Sequence, residues 1–434
     1  MSMRIAIIGA GIAGVTSAYE LSADGHQVTV FERRGSVAAE GSFANAGLVV
    51  PGLTLAWTPP RVPRLTDGQA MAWQWQRWRA GRNKNAGPWH ENLLQLALHS
   101  SSRLQQLRRS VQLDYEHTEG QLVLLRSPAE LAAIQPGLAM LQSAGVIHHQ
   151  LDADQCRTAE PGLNPDASLH GGIRLAQAEV GNCRQFTHLL RLEAQRLGTQ
   201  FRFHTTVRSV QPGRPVRLTH EYTPPLEQTN AAPRLPDAGD TEPAPPGTLQ
   251  DDFDAVIVCA AMDSVALLGP LGLKLPLTAI HGHAITAPLR QLEAYPDLGP
   301  RASVLDHQQQ IVISRIGQRV RAAGIAEVGG TTDQFKPASL KSLHQVLHQW
   351  FPGAIQNGQA QRWKAVLAQL PDGLPLLGAS GLPGIWLNLA QGGNHSQAAI
   401  NWTLACGAAH VLADQVGGRP PAVDVTGLDI SRLA

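Results

Sequence analysis

The first thirty-odd residues constrain this chain more than any other stretch. Arg4-Ile5-Ala6-Ile7-Ile8 leads into Gly9-Ala10-Gly11-Ile12-Ala13-Gly14 and then into a helical pattern from Val15 to Ala23. A buried strand, a glycine turn and a helix in that order bring unpaired backbone N–H groups and the positive helix end to one point, which suits a pyrophosphate. Gly9 serves the tight turn, Gly11 lets a phosphate approach the backbone, and Gly14 lets helix and strand close on each other. Gly25 then ends the helix, Val28-Thr29-Val30-Phe31 makes a second strand, and Glu32 stands at its end. The acid follows the glycines by about 20 residues, the spacing at which a carboxylate meets a ribose hydroxyl. Chance glycines in an ordinary strand–turn–helix would leave that acid unexplained. So would a signal peptide, whose apolar run the glycines interrupt.

A chain of 434 residues has room for two or three structural units and a large core. Its 35 basic and 34 acidic residues leave a net charge of +1, which argues against a nucleic-acid partner. No apolar run approaches a membrane span, so the expectation is a soluble, cytoplasmic protein, at most peripheral to a membrane. Cys156, Cys183, Cys259 and Cys406 are scattered without a C-x-x-C, which suits buried thiols in a reducing compartment and offers no metal site.

After Glu32, Arg33 and Arg34 either reach the nucleotide or form a solvated turn. The run from Glu40 to Pro51 is rich in small residues around Asn45, as expected where backbone meets a flat ring or where a loop is merely tight. With Ser42-Phe43-Ala44-Asn45-Ala46-Gly47, the opening fingerprint resembles the FAD-dependent D-amino-acid dehydrogenase family, within the wider group of glycine, sarcosine and D-amino-acid oxidases. The resemblance recurs in Gly181-Asn182-Cys183, in Ser314-Arg315 with Arg319 to Glu327, in Pro371-Asp372-Gly373 and in Trp402 to Gly407. It implies an α/β flavoprotein with a Rossmann-like FAD-binding domain of the ββα type. A substrate domain of α+β type, built on a mostly antiparallel sheet, is inserted into it. The FAD phosphates would meet Gly9, Gly11, Ile12, Ala13 and Gly14, and the ribose and adenine side would meet Glu32, Arg33, Arg34 and Val207. The ring system would meet Asn45, Ala46, Gly47 and Leu48, with Ala260, Ala261, Gly392 and Gly393 completing the site. NAD is the alternative cofactor, because Glu32 suits either ribose.

The remaining pattern assigns residues 1–53, 151–274 and 361–434 to the FAD-binding domain and 54–150 and 275–360 to the substrate domain. Helical periodicity runs from Leu93 to Val111, from Ala129 to Leu141, through Phe186, Leu190 and Ala194, and from Leu340 to Phe351. Strands are expected at Leu122–Leu125, Phe201–Val207, Ala255–Ala261, Leu275–Ala287 and Ile311–Gly324, with Arg319 and Arg321 on one face of the last. The proline-rich residues 211–252 read as a long mobile surface excursion without a core, joining strands Pro215–Thr219 and Phe253–Ala260. Ile385–Leu389 followed by Ala390-Gln391-Gly392-Gly393 and a helix to about Val411 repeats the strand–glycine–helix unit. Trp57, Trp73, Trp75, Trp78 and Trp89 suit a membrane interface, a partner surface or simply a core. The resemblance adds a quinone or electron-transfer chain at the inner membrane as electron acceptor.

Departures from the family gather on the substrate side. The arginine expected shortly before Pro371-Asp372-Gly373, which would hold a substrate carboxylate, is Leu367. The family's Gly-His-Gly is Ala390-Gln391-Gly392, the loop Gly393 to Asn401 is longer, and aromatic positions carry His283 and Gln309. The substrate-pocket candidates are therefore His283, Arg315, Arg321, Leu367 and Gln391, and no catalytic residue is assigned. Three readings follow. The chain oxidises a D-amino acid or related amine, anchored by Arg315 or Arg321, passing hydride to flavin N5 and leaving an imine that hydrolyses to the oxo acid and ammonia. Alternatively it serves an amine lacking a carboxylate, or it binds FAD as a non-catalytic subunit. His281, His283, His307 and His395 also read as ordinary satisfied polar residues.

Overall fold

The structure is a computed structural model and describes residues 2–54, 57, 68–83, 86–224, 247–290, 298–391 and 401–433. Six strands form its first sheet, in the order Leu376–Ala379, Ile385–Leu389, Ala255–Val258, Arg4–Ile8, Gln27–Phe31 and Gln200–Arg202. All neighbours are parallel except the first pair. Near-continuous apolar strands follow from burial on both faces. Ile5, Ile7, Val28 and Val30 pack under the helices Ile12–Ala23, Ala86–Ser110, Cys183–Arg196 and Asn401–Val416. Ala6, Ile8, Val256 and Val258 face the other way, onto a three-stranded antiparallel sheet of Thr205–Gln211, Val216–Tyr222 and Thr248–Phe253. This layered arrangement of three-stranded sheet, parallel sheet and helices is the expected ββα dinucleotide fold.

The second sheet is large and mostly antiparallel. Its path runs Gln361–Gln369, Thr278–Pro288, Arg319–Val328, Ile311–Ile316, Ser303–Asp306, Thr118–Leu125, Gly171–Val180 and Leu48–Val49, with His149–Asp152 paired onto Gly171–Val180. One face packs on the helix Pro128–Ser143 through Ala284, Leu305, Val312 and Ala323. The opposite face, with Ile285, Ile313 and Ala322, is covered by the helix Pro337–Trp350. The two faces differ because side chains alternate.

Several expectations change. Phe201–Val207 is not one strand: His204 at φ +53° breaks it, so Phe201 ends the parallel sheet while Val207 enters the three-stranded one. Ile311–Gly324 is likewise a hairpin, turning at Gly317 with φ +57°. Residues 211–252 do contribute core, since Val216 and Leu218 are fully buried and pair with the strand Thr248–Phe253. The prolines among residues 225–246 lie outside the described residues. Leu151, Asp152, Gly171–Val180 and Gln361–Gln369, assigned above to the nucleotide-binding segments, pair in the nine-stranded sheet instead. Strand partners, which sequence does not display, decide that membership. Trp57 and Trp73 are buried, and the Trp57 indole donates to the Gly52 carbonyl at 2.7 Å, whereas Trp75 is exposed. No helix among the described residues is long and apolar enough to cross a membrane.

Candidate cofactor and substrate site

The glycine turn forms one wall of a cavity of about 430 Å³. The cavity opens at the carboxyl ends of the parallel strands, where ligands of open α/β sheets bind. Gly9 N donates to the Phe31 carbonyl at 2.8 Å, and a Cβ on Gly9 would stand 2.7 Å from the Cys259 carbonyl oxygen. A Cβ on Gly14 would stand 1.9 Å from the Gly9 oxygen, so no larger residue lets the helix approach this closely. Gly11 differs. A Cβ there would meet only Ser42 Oγ at 3.6 Å, and the residue lines the cavity with Ile12 and Ala13. Ile12 N donates to Ser42 Oγ at 3.1 Å, tying the small-residue loop to the first helical turn.

Glu32 lines the same cavity and accepts from Ala10 N and Arg34 N, each at 2.7 Å. Burial raises its pKa against those two donors. Arg33 pairs with Glu40 at 2.8 Å and Asp263 at 2.5 Å, and Arg34 pairs with Glu40 at 2.7 Å. Both arginines thus hold the rim together through carboxylates. Val207, Ala260 and Ala261 also line the cavity. Backbone donors at a helix N-terminus, a glycine surface and a carboxylate at the end of the second strand fit a dinucleotide.

Asn45 to Leu48 do not line that cavity but sit behind it. Asn45 Nδ2 donates to Asn401 Oδ1 at 3.2 Å, Asn45 Oδ1 accepts from Gly47 N at 3.1 Å, and Ser314 Oγ donates to the Ala46 carbonyl at 2.8 Å. Leu48 already pairs with Val180, so this short loop carries the chain from one sheet into the other. Gly392, Gly393 and His395 lie outside the described residues.

The substrate-pocket candidates separate by face. Leu367 and Gln391 line the cofactor cavity. Arg321 lies on the same sheet face as Ser314, its neighbour across the hairpin, and is 7% exposed. Its Nη1 donates to the Asn45 carbonyl at 2.7 Å and its Nε to Thr286 Oγ1 at 2.9 Å. Burial lowers its pKa to about 10, which leaves it charged at neutral pH. Arg315, one residue beyond Ser314, points to the opposite face and donates to the Gly317 carbonyl at 3.2 Å. His283 is also on that far face: its Nε2 lies 3.0 Å from Glu327, whose carboxylate is shared with Lys336 at 3.1 Å and Lys364 at 3.2 Å. Neither residue lines the cofactor cavity.

A second cavity, of about 580 Å³, shares no lining residue with the first but is lined by the next residues of the same loop, Phe43 and Ala44, and by the other end of the strand Gln361–Gln369. Arg184, Arg319, Arg321 and Arg362 line it, together with Phe43 and Trp363, whose rings stack at 4.2 Å. Arg184 escaped sequence reading, although Gly181-Asn182-Cys183 marks a helix start and places Arg184 in its first turn. Ser42 and Asn401 escaped it too, because their partners are 30 and 356 residues away. No group of three or more metal-ligating side chains occurs among the described residues.

The sequence model described as "DAO: FAD dependent oxidoreductase" matches residues 4–415. A D-amino acid dehydrogenase of Cereibacter sphaeroides (strain ATCC 17023) is 34% identical over 455 residues, covering 100% of this chain and 96% of its own. One from Rhizorhabdus wittichii is 32% identical, covering 99% and 100%. Among solved structures, glycine oxidase from Geobacillus kaustophilus superposes with a TM-score of 0.72 at 16% identity over 99% of both chains, a likeness of fold. The chain therefore belongs to the DAO family of FAD-dependent oxidoreductases.

Proposed function

We propose that the chain oxidises the CH–NH bond of an amino acid of the D series or a related amine, with Arg321 as the carboxylate anchor in place of the arginine lost at Leu367. One observation carries this reading: a buried guanidinium beside the Asn45 loop makes two hydrogen bonds to neutral oxygens and no ion pair among the described residues, the nearest carboxylate acting on it, Glu116, being paired with Arg319. Burying an unpaired charge is costly, so the arrangement favours a ligand that supplies the counter-charge. Arg315 is the weaker anchor because it points to the other face.

In this reading Gly9, Gly11, Ile12, Ala13 and Gly14 hold the pyrophosphate, Glu32 accepts from the ribose, and Ala260, Ala261 and Val207 enclose the adenosine half. Arg33 and Arg34 close the rim. Asn45, Ala46, Gly47 and Leu48 support the ring. Bound FAD supplies a two-electron acceptor at N5 for the substrate hydride, leaving an imine that water hydrolyses to the oxo acid and ammonia. The chain's own contribution is positioning: Arg321 fixes the carboxylate while apolar Leu367 and the Phe43–Trp363 stack keep water from the reacting carbon. A quinone or electron-transfer chain receives the electrons, and exposed Trp75 is the indole of the 57–89 stretch best placed for peripheral membrane contact.

Leu367, lining the cofactor cavity, favours a second reading in which the amine carries no carboxylate. Anaerobic titration of the FAD-loaded protein with D-amino acids and simple amines separates the two. Bleaching of the flavin band near about 450 nm by D-amino acids alone supports the first reading. Bleaching by simple amines alone supports the second. A band that persists across both panels overturns both and leaves an FAD-binding subunit without turnover.

A further inference from the structure

The arginine-rich cavity holds more positive charge than one carboxylate balances. Its lining contains four arginines and no aspartate or glutamate. Arg319 is paired at the edge with Glu116 at 2.5 Å. Among the described residues Arg321 makes no ion pair with a carboxylate, the charge of Glu116 reaching it only at longer range, and its Nη2 makes no hydrogen bond. Arg184 lies over the Phe43 ring at 4.2 Å, in the first turn of the helix Cys183–Arg196, whose positive dipole end adds to the field. Arg362 contributes less, because it pairs with Ile285 and lies over the Phe335 ring at 5.9 Å, on the far face of the sheet with His283. Guanidinium groups crowded around one space repel one another until anions fill it.

We propose that this cavity binds a ligand with two anionic groups, so that the substrate is an amino acid or amine bearing a second acidic group. Arg321 takes the first carboxylate at the buried end. Arg184 takes the second nearer the opening, where guanidinium pairs with carboxylate by parallel hydrogen bonds. The two cavities take consecutive residues of one loop, Gly41 and Ser42 lining the first and Phe43 and Ala44 the second, and Phe43 and Trp363 form the apolar wall against which the chain between the two acids lies. This assignment rests on the amine-oxidation reading above and narrows its substrate class.

The test uses calorimetry on the FAD-loaded protein with two unreactive ligands, glutarate and butyrate, in parallel with anaerobic flavin bleaching by D-glutamate and D-leucine. Glutarate is expected to bind at least tenfold more tightly than butyrate. Arg184→Met, with wild-type melting temperature and FAD content, should reduce that preference to about threefold or less, whereas Arg362→Met, on the far face of the sheet, should leave it intact. Equal binding of the two ligands by the wild-type protein, or full preference in Arg184→Met, overturns the assignment. Bleaching by D-leucine as readily as by D-glutamate overturns it while leaving amine oxidation standing. Preferential glutarate binding with no bleaching by either amino acid supports the anion site and overturns the oxidation.

Discussion

Arg321 Nη1 donates to the backbone carbonyl of Asn45 at 2.7 Å, across 276 residues of sequence. One guanidinium thereby joins the nine-stranded sheet to the loop that leaves the nucleotide fold, and any change in it is felt on both sides. Arg321→Met is expected to raise KM for an acidic D-amino acid by roughly 30- to 100-fold, the worth of a charge-assisted pair. Arg321→Lys should recover part of the loss, because lysine keeps the charge but not the planar fork. Steady-state kinetics at matched FAD content checks this. A wild-type KM in Arg321→Met removes the residue from the anchor role.

Gly14 and Gly11 separate packing from cofactor contact. In Gly14→Ala the new Cβ falls 1.9 Å from the Gly9 oxygen, so the apoprotein should lose about 2 kcal/mol or more of stability. In Gly11→Ala the new Cβ has room, with only Ser42 Oγ at 3.6 Å, so apoprotein melting should be unchanged while FAD affinity falls. Melting with and without FAD distinguishes the two. Identical behaviour of the variants would contradict the assignment.

Glu160 should make the protein less stable as pH rises. Its carboxylate accepts from Arg301 N at 2.8 Å, yet burial pushes its pKa up to about 7. The folded state then holds the proton more tightly than the unfolded chain, whose carboxyl titrates near about 4.3. Its favourable contribution is complete below that lower value and lost as pH climbs through about 7. Glu160→Gln, which keeps an acceptor for the Arg301 amide, should raise Tm at pH 8 by a few degrees and leave it unchanged near pH 4. Equal shifts at both pH values would count against the titration.

Glu327 carries the opposite sign. Burial works to raise its pKa, but hydrogen bonds from His283, Lys336 and Lys364 hold it at about 2. Its stabilising contribution is present above the unfolded carboxyl value and lost as pH falls toward 2. Glu327→Gln leaves Lys364 buried without its counter-charge, at a cost of roughly 3–5 kcal/mol at neutral pH. Thermal melts from pH 7 down to pH 3 should show the variant and the parent converging. A constant difference across that range rules the network out as the source.

The dinucleotide half of this protein is determined locally and was legible for that reason. Strand, glycine turn, helix and Glu32 lie within one continuous stretch, where Gly14 packs on Gly9 five residues away and Glu32 accepts from Ala10 N. Local spacing fixes such a unit before anything else has folded. Sequence periodicity also located most helices and strands. It failed where one residue in left-handed geometry splits an apolar run, as at His204, because φ is set by what the flanking strands pair with.

The substrate side was decided by tertiary structure. Arg315 and Arg321 look equivalent in sequence, but pairing in the hairpin sends one to each face of the sheet. His283, read as a pocket residue, belongs instead to the Glu327 network behind the sheet. Arg184 joins Arg321 only because the helix Cys183–Arg196 of the nucleotide fold abuts the sheet edge. Sequence alone fixed the order of chemical groups along the chain. Which charges share one cavity depends on contacts between segments more than a hundred residues apart, and only the folded chain brings those together.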